Sequence, residues 1–229
     1  ALSSITFAGG PRFRLDGTAT LATADNIAGK KIVPLVVTGT EDDPYIISST
    51  ADWNDFVATV SSGTDYSGKF VKLAADISVA RSCGTVAGSE QRNAFCGTFD
   101  GDGHTITADI TDTGNQGTAL FSYVKNATIK HLTVAGSITG GMHAAAIMGF
   151  ADGVTSIEGC TATAAISGGT HIGGLLGHAL DGDITVNGCV FSGTLTGGST
   201  AKGVFVGWGN DEGSRSVTDC LYLMPDGQD

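Results

Sequence analysis

Apolar and polar residues recur along this chain on two scales. On the short scale they alternate. Val134, Gly136 and Ile138 share one parity, as do Ala162, Ala164 and Ile166, and Phe191, Gly193 and Leu195. A period of two marks strands with one face turned inward and the other outward. On the long scale the strands themselves return. Ala119-Leu120-Phe121-Ser122-Tyr123 can be laid over Ala146-Ile147-Met148-Gly149-Phe150, Gly174-Leu175-Leu176-Gly177-His178 and Val204-Phe205-Val206-Gly207-Trp208, with offsets of 27, 28 and 30 residues. A second register agrees: Ile129, Ile157, Val186 and Val217, offset by 28, 29 and 31. Three residues beyond each comes Leu132, Cys160, Cys189 or Cys220. Repetition with small drift in length is the signature of a solenoid.

Every regular repeat has the same order. A strand of small residues leads into a polar loop, such as Ala151-Asp152-Gly153 or Leu180-Asp181-Gly182. A short strand follows, then the Leu/Cys position, then the alternating strand. A Gly pair closes three of the coils: Gly140-Gly141, Gly168-Gly169 and Gly197-Gly198. Stacked coils place equivalent residues about 4.8 Å apart, so like side chains form ladders. The pattern predicts an all-β, single-stranded parallel β-helix of roughly five or six coils.

A different pattern precedes the coils. Tyr45-Ile46-Ile47-Ser48-Ser49 reads as a strand. Trp53, Phe56, Val57 and Val60 then fall at the spacing of an amphipathic helix, with Ser49 or Thr50 as N-cap and Gly63 ending it. This helix, near residues 51–61, is expected to cap the open end of the solenoid, which would otherwise expose apolar surface and unpaired strand edges. Phe70 to Ile77 and Gly97 to Ile106 read as further strands, the second with a tight turn at Asp100 to Gly103. Residues 41–229 are assigned to the β-helix. Residues 1–40 do not match the repeat. They are expected to be an extended segment or the tail of a preceding module, with strand-like pieces at Ile5-Thr6-Phe7 and from Lys31 to Val37. Met224-Pro225-Asp226-Gly227 is expected to end the last strand, with a further domain or a partner against that end.

Composition narrows the function. The abundance of Gly (35 residues) alongside β-branched residues fits an all-β chain with many turns. The net charge of -11 argues against nucleic acid as a partner and against a polybasic membrane contact. It suits a soluble secreted or surface-exposed protein. No run of eighteen apolar residues is present, so no membrane-inserting helix is expected. The five Cys are an odd number. Cys160, Cys189 and Cys220 share one repeat position and are read as small buried hydrophobes. Cys83 and Cys96 flank a polar insertion, Gly84 to Ala94. A disulfide between them is expected in an oxidising compartment, contributing roughly 2–3 kcal/mol.

Gly173-Gly174-Leu175-Leu176-Gly177 resembles the GLUG-type repeat of bacterial surface proteins, and Gly203 to Asn210 resembles its terminal variant. Gly39 to Ile47, Ala51-Asp52-Trp53 and Gly68 to Leu73 are similar to the leading segment of those proteins, and Gly97 to Ile106 to their first full coil. The resemblance covers about residues 39–224. It implies a right-handed parallel β-helix, extracellular or on the cell surface of gut-type bacteria, in a family often described as adhesin-like. It carries over no catalytic residues.

Candidate chemistry is sparse. Asp100-Gly101-Asp102-Gly103 resembles part of a calcium loop, but Thr111 stands where the bidentate acid of an EF-hand is required, so turn chemistry is the better reading. His143 and His171 lie six residues before the aligned Gly149 and Gly177. They are therefore expected in adjacent coils within metal-bridging reach. The flanking coils offer Gln116 and Ala201, no third strong ligand, and a solvent-facing pair without a role is the simpler reading. Tyr123, Phe150, His178 and Trp208 form an aromatic column. Turned outward, it would stack on sugar rings or on a protein partner. Turned inward it is core, the reading given more weight. A glycosidase needs two carboxylates flanking a cleft, and Asp152, Asp181, Asp183, Asp211 and Glu212 lie mostly in turns at unmatched positions. No motif implies a cofactor. The expected function is a non-catalytic surface module binding a host or bacterial glycan or a surface protein. A polysaccharide lyase or hydrolase and a structural spacer are the alternatives.

Overall fold

A computed structural model describes residues 13–15, 32–34, 37–87, 91–114 and 116–223. The chain divides into two compact units, Ala1–Thr38 and Gly39–Asp229. In the first, Phe13–Leu15 pairs antiparallel with Ile32–Pro34, the latter within the predicted Lys31–Val37 segment. Ile5-Thr6-Phe7 and Met224 to Gly227 lie outside the described residues.

The second unit is a parallel β-solenoid. One sheet stacks seven strands: Tyr45–Ile47, Phe70–Leu73, Thr98–Asp100, Thr128–Lys130, Thr155–Glu158, Ile184–Asn187 and Arg215–Thr218. Seven successive rungs enclose six turns of chain. The Ile129, Ile157, Val186 and Val217 register is the pairing observed in it. A second sheet holds the alternating strands. There Val134 pairs with Ala162 and Ala162 with Phe191, while Ile138 pairs with Ile166 and Ile166 with Leu195. Leu132, Cys160 and Cys189 are buried beneath the corner between these sheets, and Cys220 on the last coil is partly exposed. The thiols of Cys160, Cys189 and Cys220 each point at the carbonyl of a residue in the coil before, Ile129, Ile157 and Val186. They pack as small apolar groups with weak donors.

Two four-stranded sheets complete the coils. One stacks Gly117–Thr118, His143–Ala144, His171–Gly173 and Ala201–Gly203. The other stacks Phe121–Lys125, Met148–Asp152, Leu176–Ala179 and Val206–Gly209. The turn joining them is so short that their backbones lie directly on each other. The column Gly149, Gly177, Gly207 is what allows it. A Cβ on Gly177 would stand 2.9 Å from the carbonyl oxygen of Gly149 and 3.1 Å from the carbonyl carbon of His143. One on Gly207 would stand 2.6 Å from the backbone of Ile172. Both lie below normal van der Waals contact, so no side-chain layer fits between these strands.

The helix spans Thr50–Ser61, between the first two rungs of the long sheet. Ser49 caps it, its Oγ accepting from the Asp52 N–H at 3.2 Å. Trp53, Phe56, Val57 and Val60 are all buried, as the spacing predicts. Trp53 is fully buried and meets Phe99 and Phe121 edge-on, with ring centroids 6.1 and 5.7 Å away. Its Nε1–H donates to the Arg81 carbonyl at 2.9 Å, which satisfies the one polar atom of the side chain. Phe56 packs on Tyr66 and Phe95. The helix is thus a plug whose rings interlock with the rings of the first coils. Replacing Trp53 with Ala should cost about 3–5 kcal/mol, measured by urea unfolding, whereas Asp55→Ala on the exposed side should stay within about 0.5 kcal/mol. Equal, small effects from the two would show that the helix is not a plug.

Candidate functional site

The insertion from Gly84 to Ala94 sits where the first coil would continue the strand Phe121–Lys125. Cys83 bridges to Phe121 and Phe95 to Val124, both in parallel sense. Between these two points a hairpin, Thr85–Ala87 paired antiparallel with Gln91–Asn93, takes the place of two residues. The expected disulfide is not formed: Cys83 and Cys96 are free thiols, the first buried and the second partly exposed. Each lies where a coil strand leaves or rejoins the sheet, and backbone hydrogen bonds anchor the base of the hairpin instead. The Cys83 N–H donates to Leu120 at 2.8 Å and the Phe95 N–H to Tyr123 at 3.1 Å.

The hairpin covers the start of the aromatic column. Tyr123, Phe150, His178 and Trp208 pair in register through three successive coils. The column is neither core nor a uniform outer strip. Tyr123 and Phe150 are 5% and 4% exposed, but they pack with Val86 of the hairpin in a small cluster apart from the main core, with Ala94 and Leu180 against it. The Tyr123 hydroxyl donates to Asp152 Oδ2 at 3.0 Å, and Lys125 Nζ donates to the same oxygen at 2.9 Å. Burial opposes ionisation of Asp152, but these two donors outweigh it and hold its carboxyl below its ordinary value.

His143 and His171 are direct neighbours, as the spacing predicts. Two details differ from expectation. The preceding coil places Gly117, not Gln116, beside His143, because two residues separate Thr118 from Phe121 where three separate Ala144 from Met148. The two also differ in exposure: His143 is 4% exposed, whereas His171 is only partly buried. The backbone-on-backbone packing at the glycine column brings the two ring columns together. His143 lies 4.6 Å from Phe150, 4.5 Å from His178 and 4.7 Å from His171, centroid to centroid. His171 in turn lies 4.8 Å from Trp208. The Nδ1 atoms of His143 and His171 approach to 3.2 Å, a hydrogen bond between neutral rings. Among the described residues no group of three or more His, Cys, Asp or Glu side chains gathers in a way that could hold a metal ion.

The ring stack ends in the open. Trp208 is 42% exposed, backed by His171 at an interplanar angle of 31°. Beside it lies a shallow, open surface depression lined by Asp181, Trp208, Gly209, Asn210, Asp211 and Glu212. Asn210 is fixed from both sides: its Oδ1 accepts from His178 Nε2 at 3.0 Å and its Nδ2 donates to Asp181 Oδ1 at 3.1 Å. The Arg215 guanidinium lies under the loop, donating to the carbonyls of Gly182 (2.8 Å), Ser214 (3.1 Å), Asn210 (3.2 Å) and Leu180. The loop that carries the acids is thereby held in place by a cation turned to backbone.

Asp181, Asp211 and Glu212 line one surface patch. Asp181 and Asp211 are 30 residues apart, the offset that separates His178 from Trp208, and that shared offset is the signal in the sequence. Asp100 and Asp102, by contrast, act in a turn. Asp100 Oδ1 accepts from the Asp102 N–H at 2.9 Å and faces His131 Nδ1 at 3.2 Å, while Asp102 pairs with Lys72 at 2.9 Å.

Burial, and secondarily the neighbouring His178 and His171, lower the His143 pKa from its ordinary 6.5 to about 3. Burial lowers that of His171 too. The sign follows from linkage. Between those two values the unfolded chain binds a proton that the fold refuses, so stability is complete above the unfolded pKa and falls as pH drops toward the folded one. From pH 7 to pH 4 the wild type should lose roughly 1–3 kcal/mol more than His143→Gln, measured by urea unfolding of both proteins at the two values. Parallel losses would show that His143 titrates normally in the fold.

No protein-family model matches the chain. Over 157 residues, 62% of its length, the chain is 32% identical to halomucin of Haloquadratum walsbyi, and the match spans 2% of that protein. The fold is similar to the crystal structure of a putative immunoglobulin A1 protease from Bacteroides ovatus, with a TM-score of 0.54 and 16% identity over 81% of this chain and 69% of that one. At that identity the likeness is one of fold: a β-solenoid shared by proteins of different sequence.

Proposed function

We propose that this chain is a non-catalytic extracellular or cell-surface module of the GLUG-repeat, adhesin-like type, which binds a glycan or a surface protein at the open patch around Trp208. One observation carries the reading. Of the four rungs of the aromatic column, Trp208 is the one that keeps a large exposed ring, and it stands on an open surface patch with Asp181 and Asn210 beside it. A flat indole offers its π-face to the C–H face of a pyranose, and the carboxylates and amide around it accept and donate hydrogen bonds to hydroxyls.

A place outside the cell is supported by the acidic composition and by the two comparisons. One relative is named as a mucin, and the fold neighbour is named for a protease of immunoglobulin A1, a protein met outside cells. Protease activity is not part of the reading, because the neighbour shares fold alone.

The test is a glycan and host-cell binding screen with the wild type and Trp208→Ala, thermal unfolding serving as a control for folding. The variant should lose at least about tenfold in affinity, about 1.4 kcal/mol, with an unchanged unfolding midpoint. Undiminished binding by Trp208→Ala would place the ligand elsewhere. Absence of any ligand for the wild type would favour a spacer. Shortening of the bound glycan during the assay would mark the chain as an enzyme.

A further inference from the structure

One column of the coils carries chemistry that packing alone does not use. Cys160, Cys189 and Cys220 stack at one corner. Each follows a residue of positive φ, Gly159 (57°), Gly188 (62°) or Asp219 (53°), so the three side chains leave the backbone in the same direction. The rungs are in register on both sides of that corner. Asn187 pairs with Thr218 and Val190 with Leu221, and the Leu221 N–H donates to the Cys189 carbonyl at 2.9 Å. Parallel strands in register set equivalent Cα atoms about 4.8 Å apart, inside the roughly 4.4–6.8 Å that a disulfide spans. The thiols also lean the same way, toward the coil before. The Cys189 sulfur accepts from the Cys160 N–H at 3.4 Å, and the Cys220 sulfur takes the same place at the Cys189 N–H.

A column of three offers two pairs of neighbours, and access separates them. Cys160 and Cys189 are buried, whereas Cys220 is partly exposed. A soluble oxidant meets Cys220 first, and the thiol beneath it is Cys189. That second sulfur is prepared for attack. The Cys160 thiol and amide donate to it and lower its pKa to about 7, although burial opposes this. Near neutral pH much of Cys189 is therefore the nucleophilic thiolate. Burial raises the pKa of Cys220, which makes the first attack the slower one.

We propose that Cys220 and Cys189 join in a disulfide when the chain meets an oxidised low-molecular-weight disulfide of the glutathione type. The Cys220 thiolate attacks one sulfur of the small disulfide, whose S–S bond breaks to release one thiolate and leave a mixed disulfide. The Cys189 thiolate then attacks the Cys220 sulfur and expels the second small thiolate. The two cysteine protons end on the two released thiols, and the two electrons lost by the cysteines reduce the small disulfide. The bond spans 31 residues, one full turn of the solenoid. It closes the coil that carries Trp208 into a covalent ring, and it does so whatever binds at Trp208. A closed ring has fewer open conformations to reach, so the strands Val206–Gly209 and Arg215–Thr218 within it gain protection.

The test is peptide mapping of the full chain after incubation with glutathione disulfide at about pH 8, followed by alkylation of the remaining thiols in denaturant. Cleavage before Asp152, Asp181, Asp183, Asp211 and Asp219 puts Cys160, Cys189 and Cys220 on separate peptides. The expected product links the Cys189 and Cys220 peptides, is lost on adding dithiothreitol, and leaves Cys160 alkylated. Cys96, a partly exposed thiol that faces the Ala94 carbonyl at 3.9 Å, should stop at the mixed disulfide and serves as the reference. Amide hydrogen exchange in the two strands should slow roughly tenfold on oxidation, and Cys220→Ser should abolish both the link and the slowing. Cys160→Ala should retain the link and delay its formation, since Cys189 loses a donor. The map is read on the wild-type chain, so it decides even where a variant fails to fold. Glutathione persisting on Cys220 with Cys189 alkylated would overturn the inference, as would a Cys160–Cys189 link, a dimer through Cys220, or no reaction at Cys220. A link that leaves exchange unchanged would overturn the restraint.

Discussion

The arrangement of this molecule depends on one close approach: two strands of each coil lie backbone against backbone, with glycine at positions 149, 177 and 207 between them. A parallel solenoid ordinarily separates its walls by a layer of side chains about 10 Å deep. Here one corner of the coil is folded flat. The first result is economy of core, since no side chain has to fill that corner. The second is lateral. The columns flanking the glycines, histidines on one strand and aromatic rings on the other, are pressed edge to edge and share one cluster. A methyl group at any of those positions would part the strands, and the rings with them.

From that constraint the character of the site follows. His143 is held neutral by burial among rings, so it packs beneath the column as an aromatic surface. His178 and Asn210 pass a hydrogen bond from the stack to Asp181, and Arg215 ties the outer loop to backbone carbonyls. Asp181 and the backbone at Gly182 and Asn210 are therefore tied down by contacts within the chain.

Much of the fold was legible in the residues because repetition multiplies weak signals. The register of Ile129, Ile157, Val186 and Val217 and the order of Tyr123, Phe150, His178 and Trp208 both come from aligning short strings, and both are the observed pairings. The helix was legible for a different reason, the four apolar residues at helical spacing behind a good cap. The site was less so. Whether a ring faces core or solvent depends on what lies against it, and at positions 123 and 150 that is another strand and a hairpin distant in sequence. A strand apolar at both parities carries no record of this. Gln116 was one residue from the true neighbour of His143 because turn length, invisible to side-chain pattern, set the register. The acids near Trp208 were hidden because they sit in the polar loop, where side-chain pattern is weak; only the offset of 30 shared with His178 and Trp208 sets Asp211 beside Asp181.

The two ends of the described stack differ. At one, Trp53 closes the coils like a stopper, its ring set against Phe99 and Phe121. At the last described coil, Val204, Phe205 and Val206 are partly covered, and Val217 and Leu221 are exposed. In a repeat protein, stability is a sum of nearest-neighbour terms, so the helix lends its support to the coils it touches and not to the coil of Trp208. That coil draws its hold from the rung beneath it, at His171 and Ile172. Anything bound there adds its free energy locally, as a clasp on one rung rather than a brace for the whole stack.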